Sequence, residues 1–537
     1  MKNIKFYLLS MTMGLALTGC GGTADILSTP VENIDNTPLK TSDLTEMEMK
    51  TWGHLDLVAD TIPGMSVNKA YSEIIRGRKG VTTIVAIIDS GIDIDHEDLD
   101  GVIWRNRDEI PNNGRDDDNN GFVDDVNGWN FLGDTYDEQL EYVRLLASKN
   151  TSHPRYAEAK AELEKEYNEA LRNKDRYEQI LQQIKLSDVA IANHLNKQDY
   201  TREEVNAIKT EDQTLLQHIN IIKQTYGFGI GSIPETIAEI NEAVEYFAER
   251  LNFHFNVDFK GRKNGDDPDD YSSKIYGNNN VKPVKKSESH GTHVAGIVAA
   301  ERDNGKGVNG VANNVEIMPI RAVPNGDEYD KDIALAIRYA VDNGAKIINT
   351  SFGKYYSPHS DWVMDAIAYA GQKDVLIVNA SGNESLDVDK KMAFPNDAMG
   401  TGLEVSNTFI SVGALEPRYG SGMVASYSNY GKTGVDVFAP GSSIYSTFPE
   451  NEYESQPGTS MAAPAVAGVA ALIRSQYPNL SAAQVKQILM DSGLPVKTKV
   501  IVGGEATDVR PFESLTKSGK IVNAYNALIM ASRMSNN

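Results

Sequence analysis

Five consecutive apolar residues, Ile84-Val85-Ala86-Ile87-Ile88, stop abruptly at Asp89-Ser90-Gly91. A run that is apolar at every position, without alternation, is buried on both faces, and a strand of that kind belongs to a parallel sheet with helices packed on either side. The design returns at Val375-Leu376-Ile377-Val378-Asn379, closed by Ser381-Gly382-Asn383, and at Ala345-Lys346-Ile347-Ile348-Asn349, closed by Ser351-Phe352-Gly353. Val315–Arg321, Thr408–Ala414 and Val435–Ala439 read as further strands, with Lys331–Asn343 as a helix among them. Strand and helix in alternation predict an α/β fold built on a doubly wound parallel sheet with right-handed crossovers. Reacting groups in such sheets gather outside the carboxyl ends of the strands, where Asp89 falls.

Two predicted helices open on a polar residue beside glycine. His290-Gly291-Thr292-His293 leads into Val294–Ala300, and Gly458-Thr459-Ser460 leads into the alanine-rich run Met461–Gly468. A serine exposed at the start of a helix is where a nucleophile would stand, and its hydroxyl then needs a base that is itself oriented by a third group. Taken singly, each residue has a plainer reading: Asp89 and Asn383 as turn residues, Ser460 as a helix cap, His290 with His293 as half of a metal site. Together, the segments around Asp89, His290 and Ser460 resemble the Asp, His and Ser signatures of the subtilisin-like serine proteases, in that family's chain order. The resemblance covers roughly residues 51–133 and 270–537. It implies Asp89 as orienter, His290 as general base and acid, Ser460 as nucleophile, and Asn383, with the Ser460 N–H, as the oxyanion donor. It also implies a polypeptide substrate, laid as an added strand along Ser351-Phe352-Gly353.

Downstream of Asp89 lies Asp116-Asp117-Asp118-Asn119-Asn120-Gly121-Phe122-Val123-Asp124-Asp125. Oxygen-bearing side chains at Asp116, Asp118 and Asn120, then a glycine for a sharp turn, reproduce the first half of an EF-hand-type calcium loop. Asn127 occupies the position where that loop carries its bidentate glutamate. The Phe122 carbonyl with Asp124 or Asp125 is therefore expected to complete an isolated structural Ca2+ site.

Between Gly133 and about Asp266 the resemblance stops and the composition turns helical. Tyr156, Leu163, Ala170, Tyr177 and Ile184 keep a seven-residue step, and capping signals at Thr201 with Glu204 and at Ser232 with Glu235 start two more helices. Residues 134–266 are thus expected to form an inserted all-helical subdomain, a hairpin or three-helix bundle, between protease parts at 51–133 and 267–537. The sequence reads it equally as a spacing element and as a gate or docking module for a protein partner. A binding scaffold with an idle core is the rival to an enzyme.

At the N-terminus, Lys2 and Lys5 precede an apolar run from Phe6 to Leu17, and Leu17-Thr18-Gly19-Cys20 resembles the bacterial lipoprotein signal. Cys20 is the only cysteine of the chain, so an internal disulfide is excluded and a lipidated cysteine at a bacterial envelope membrane is expected. Residues 1–20 read as the signal and 21–50, rich in Thr, Ser, Asp, Glu and Pro, as a flexible tether. A net charge of −23 argues against nucleic acid as a partner.

Overall fold

The computed structural model describes residues 28–32, 34–227, 231–399 and 403–535. The signal, Cys20 and the first part of the tether lie outside them. Seven strands run in chain order as β1 Thr83–Asp89, β2 Trp129–Asn130, β3 Val315–Arg321, β4 Ile347–Thr350, β5 Leu376–Ala380, β6 Phe409–Leu415 and β7 Val437–Pro440. A hairpin, β8 Ile444–Phe448 and β9 Glu452–Gln456, stands apart, and the short strands β10 Leu494–Pro495 and β11 Lys520–Ile521 complete the main sheet. Its order is β10-β11-β7-β6-β5-β4-β1-β3-β2, parallel except where β10 meets β11.

The unbroken apolar runs follow from burial on both faces. In β1, Val85 and Ile87 enter one core while Ala86 and Ile88 enter another, because successive side chains of a strand point to opposite sides. The first core is roofed by the helices His290–Ala299, Thr459–Gln476, Ala482–Ser492 and Ala524–Ser535, and the second by Asp330–Asp342 and Ser360–Gln372.

Between β2 and the His290 helix the chain leaves the sheet and forms five helices. These are α1 Glu141–Ala147, α2 Tyr156–Leu195, α3 Arg202–Ala207, α4 Gln213–Tyr226 and α5 Ile233–Glu249. Helix α2 is 40 residues long, hence about 60 Å. Its far half packs Ile184 and Ile191 against Ile219 and Ile222 of α4, and its near half stacks Tyr177 on Phe247 of α5. Thr201 and Glu204 form a reciprocal cap on α3, and Ser232 accepts the Glu235 N–H at the start of α5.

The described part of the expected tether is not free. Ile34 is 1% exposed and joins a core with Leu57, Val424 and Phe512. Val31 exchanges two backbone hydrogen bonds with the Asn526 side chain, at 2.7 and 2.9 Å. Polar composition suggested a tether, but three spaced apolar residues, Val31, Ile34 and Leu44, suffice to dock it on the protease core.

Candidate active site

Asp89 ends β1 and His290 begins the helix that packs across it. The His290 Nδ1 lies 2.7 Å from Asp89 Oδ1, which also accepts the Ser90 N–H at 2.8 Å. Gly291 makes the approach possible: a Cβ there would stand 2.3 Å from the Gly91 carbonyl oxygen. The Asp89 side chain is buried, whereas that of His290 keeps 37% exposure and so faces both its orienter and the solvent. Burial alone would lower the imidazole pKa, but the Asp89 charge and hydrogen bond together outweigh it and hold it above its ordinary value. His293 is different. Fully buried, it bonds through Nε2 to the Glu454 carbonyl at 3.1 Å, and burial lowers its pKa to about 4, so it is a neutral packing group.

Ser460 is the second residue of the helix Thr459–Gln476. Pro464, inside that helix, has no N–H for the carbonyl four residues back, which is that of Ser460. The Ser351 hydroxyl fills the vacancy, donating to the Ser460 carbonyl at 2.8 Å, while Ser460 Oγ donates to the Ser351 carbonyl at 3.0 Å. The turn that carries Ser460 is thereby fastened to the segment that leaves β4. In this state the Ser460 hydroxyl rests on Ser351 and makes no hydrogen bond to His290 Nε2.

Asn383 follows β5. Its Oδ1 accepts both the N–H and the hydroxyl of Thr459, each at 2.9 Å, which leaves Nδ2 as its free donor. Gly458 has φ +150°, and a Cβ there would come within 3.7 Å of that Nδ2. A bare backbone at this point keeps space in front of the donor. Asn383, Ser460, Phe352, Gly353 and Phe394 line a cavity of about 90 Å³.

The Subtilase family model, Peptidase_S8, matches residues 80–509. The chain belongs to the subtilase family. It is 39% identical over 250 residues to a thermophilic serine proteinase of Bacillus sp. strain AK1, a match covering 46% of this chain and 54% of that protein. To thermitase of Thermoactinomyces vulgaris it is 36% identical over 212 residues, 38% of this chain and 70% of the relative. Among solved structures, proteases from Pseudoalteromonas arctica match at 31% identity and a TM-score of 0.37, over 45% of this chain and 70% of theirs. The chain spans about half the length of the Bacillus AK1 relative.

Two further parts of this subtilase were not singled out in the sequence. Arg321, at the end of β3, is fully buried and donates to the Ser90 carbonyl at 3.1 Å and to Glu288 Oε1 at 2.7 Å, bracketing both Asp89 and His290. Glu109 changes the metal reading. Carboxylate oxygens of Glu109, Asp118 and Asp125 lie within 4.8 Å of one another, and Glu109 Oε2 is buried without a partner. Asp116 instead accepts the Asn120 and Gly121 N–H groups, and Asp124 those of Asn113 and Gly114. Asn120 turns its amide Nδ2 toward Asp118 and Asp125, and the Phe122 ring packs on Trp129 and Tyr339. Asp116 and Asp124 thus hold the loop's backbone, and Glu109, which the EF-hand spacing did not include, joins Asp118 and Asp125 in a cluster of converging carboxylates. Burial pushes Asp125 up to about 6, with the charge of Asp118 a lesser contribution in the same direction.

Proposed function

We propose that the chain is a serine endopeptidase held at the bacterial cell envelope by lipid on Cys20. The observation that carries the reading is the Asp89–His290 hydrogen bond of 2.7 Å, and it is supported by Ser460 and Asn383 lining one and the same cavity. In the proposed reaction Ser460 Oγ turns from the Ser351 carbonyl to His290 Nε2, gives up its proton and attacks a peptide carbonyl. The oxygen that becomes negative is received by Asn383 Nδ2 and the Ser460 N–H, donors already in place before charge develops. His290, its tautomer fixed by Asp89, passes the proton to the leaving amine, and water repeats the sequence on the acyl ester.

Ca2+ is assigned to Glu109, Asp118 and Asp125, where it would neutralise converged carboxylates and stabilise the loop, with no part in proton transfer. The substrate is polypeptide, and the helical insertion remains the candidate surface for a protein partner. Incubation of the lipidated chain with unfolded casein should give fragments identifiable by mass spectrometry, and Ser460→Ala should give none. Intact casein with the folded wild type would count against a general endopeptidase. Cys20→Ser should move the protein from the detergent phase to the aqueous phase; an unchanged partition would remove the anchor from the proposal.

A further inference from the structure

Two of the chain segments that the inserted region touches on the protease core flank Asp89. One segment continues from β3, the parallel neighbour of β1: the Ala322 N–H donates to the Asp89 carbonyl, and the chain runs on through Asn325 to Glu328. The other continues from β4, the neighbour on the opposite side of β1, through Ser351-Phe352-Gly353 to Lys354. Asp89 therefore sits between two rails that leave the carboxyl end of the same sheet.

Each rail is held from outside by the inserted region. On the first, the Asn325 N–H donates to the Tyr136 carbonyl at 2.8 Å and the Glu138 N–H to the Asn325 carbonyl at 2.9 Å. The Asp327 N–H adds a longer contact to the Gln139 carbonyl at 3.4 Å, and Gly326, between Asn325 and Asp327, lies against Glu138, where a Cβ would stand 2.4 Å from the carbonyl oxygen. On the second rail, Arg155 at the start of α2 donates to the Tyr355 carbonyl at 2.6 Å and lies 3.5 Å from the centre of the Tyr356 ring, while the Tyr356 hydroxyl donates to Glu162 at 2.9 Å.

The rails meet at one buried cation. The Lys354 ammonium, with its side chain 2% exposed, is 2.9 Å from Glu141 on α1, 2.9 Å from Asp330 and 2.7 Å from the Glu328 carbonyl. Glu141 is shared with Arg144, whose guanidinium also donates to the Asp327 carbonyl at 2.9 Å and the Glu328 carbonyl at 3.1 Å. Lys354 further exchanges two backbone hydrogen bonds of 2.9 Å with Phe394, which lines the same cavity as Ser460. Lys354 thus joins the rails directly, and the insertion reinforces the bridge: Glu141 holds the Lys354 ammonium and the Arg144 guanidinium, and Arg144 donates to the carbonyls of the first rail. Charges so buried hold their geometry firmly, because removing one partner strands the rest.

Resting on the peptidase reading above, we propose that the helical insertion is a clamp that sets the spacing of the two rails, with Glu141 as its positioning residue. Binding of an extended peptide that reaches past the residue at the scissile bond depends on this spacing. The chemistry at Ser460 does not.

The test uses the full lipidated chain in detergent and two substrates with the same leaving group, a blocked single-residue ester and a blocked tetrapeptide. Glu141→Gln keeps the side chain's shape and removes the shared charge. It should raise KM for the tetrapeptide roughly three- to thirtyfold with kcat little changed, and leave both constants for the ester at wild-type values. Arg155→Ala, a less buried contact on the same rail, should show the same split more weakly, and it decides the question if Glu141→Gln does not fold. Equal losses on both substrates, or none on either, in a folded variant would overturn the clamp while leaving the peptidase reading intact. A wild type inert on both substrates would overturn the peptidase reading, and the clamp with it.

Discussion

Ser460 owes its setting to a proline four residues on. Pro464 frees the Ser460 carbonyl for the Ser351 hydroxyl, which ties Ser460 to the cleft wall. Ser460→Ala should lower kcat by about a millionfold without shifting the melting temperature; the magnitude is that measured for the same change in subtilisin. Asn383→Ala should cost about a hundred- to a thousandfold in kcat with KM nearly unchanged, because its Nδ2 acts on the transition state. The imidazole must be neutral to accept a proton, and Asp89 raises its pKa net of burial. The acid limb of kcat/KM should therefore lie above the value of about 6.5 for a free imidazole, with activity lost as the pH falls through it. Asp89→Asn should shift that limb downward and reduce kcat by about four orders of magnitude. An acid limb that stays put in Asp89→Asn would detach His290 from the chemistry.

At the scale of elements, the strands were legible because two-sided burial writes itself into a short window of sequence. Val315–Arg321 is read from its residues and found at the same bounds. Groups converging from separated segments were not legible. Glu109 precedes the Asp-rich loop and carries no spacing signal, so only the folded chain brings its carboxylate beside Asp118 and Asp125. Chelation of Ca2+ should lower the melting temperature by several degrees, consistent with about 2–3 kcal/mol for a ligand held at a hundred times its Kd. Glu109→Gln should abolish that difference, and an identical melting curve with and without chelator would remove the metal from this loop. The docked N-terminal segment was hidden by its polar neighbours. Ile34→Ala should destabilise by about 2–4 kcal/mol, as for a large aliphatic side chain lost from a packed core.

Across the whole molecule, the chain divides into a sheet that carries the candidate site and a helical body mounted on both sides of it. The seven-residue pattern from Tyr156 to Ile184 was enough to expect helix, since it is local. Attachment was not foreseeable, because the Lys354–Glu141 pair joins residues far apart in sequence and each alone looks like an ordinary surface charge. The account stands or falls on an assembled nucleophile. The most direct measurement is reaction of the purified chain with a fluorophosphonate probe, the adduct mapped by mass spectrometry beside Ser460→Ala. Modification confined to Ser460 and absent from the variant is the expected result. A folded wild type that takes up no probe, or a Ser460→Ala variant modified as fast as the parent, would contradict it.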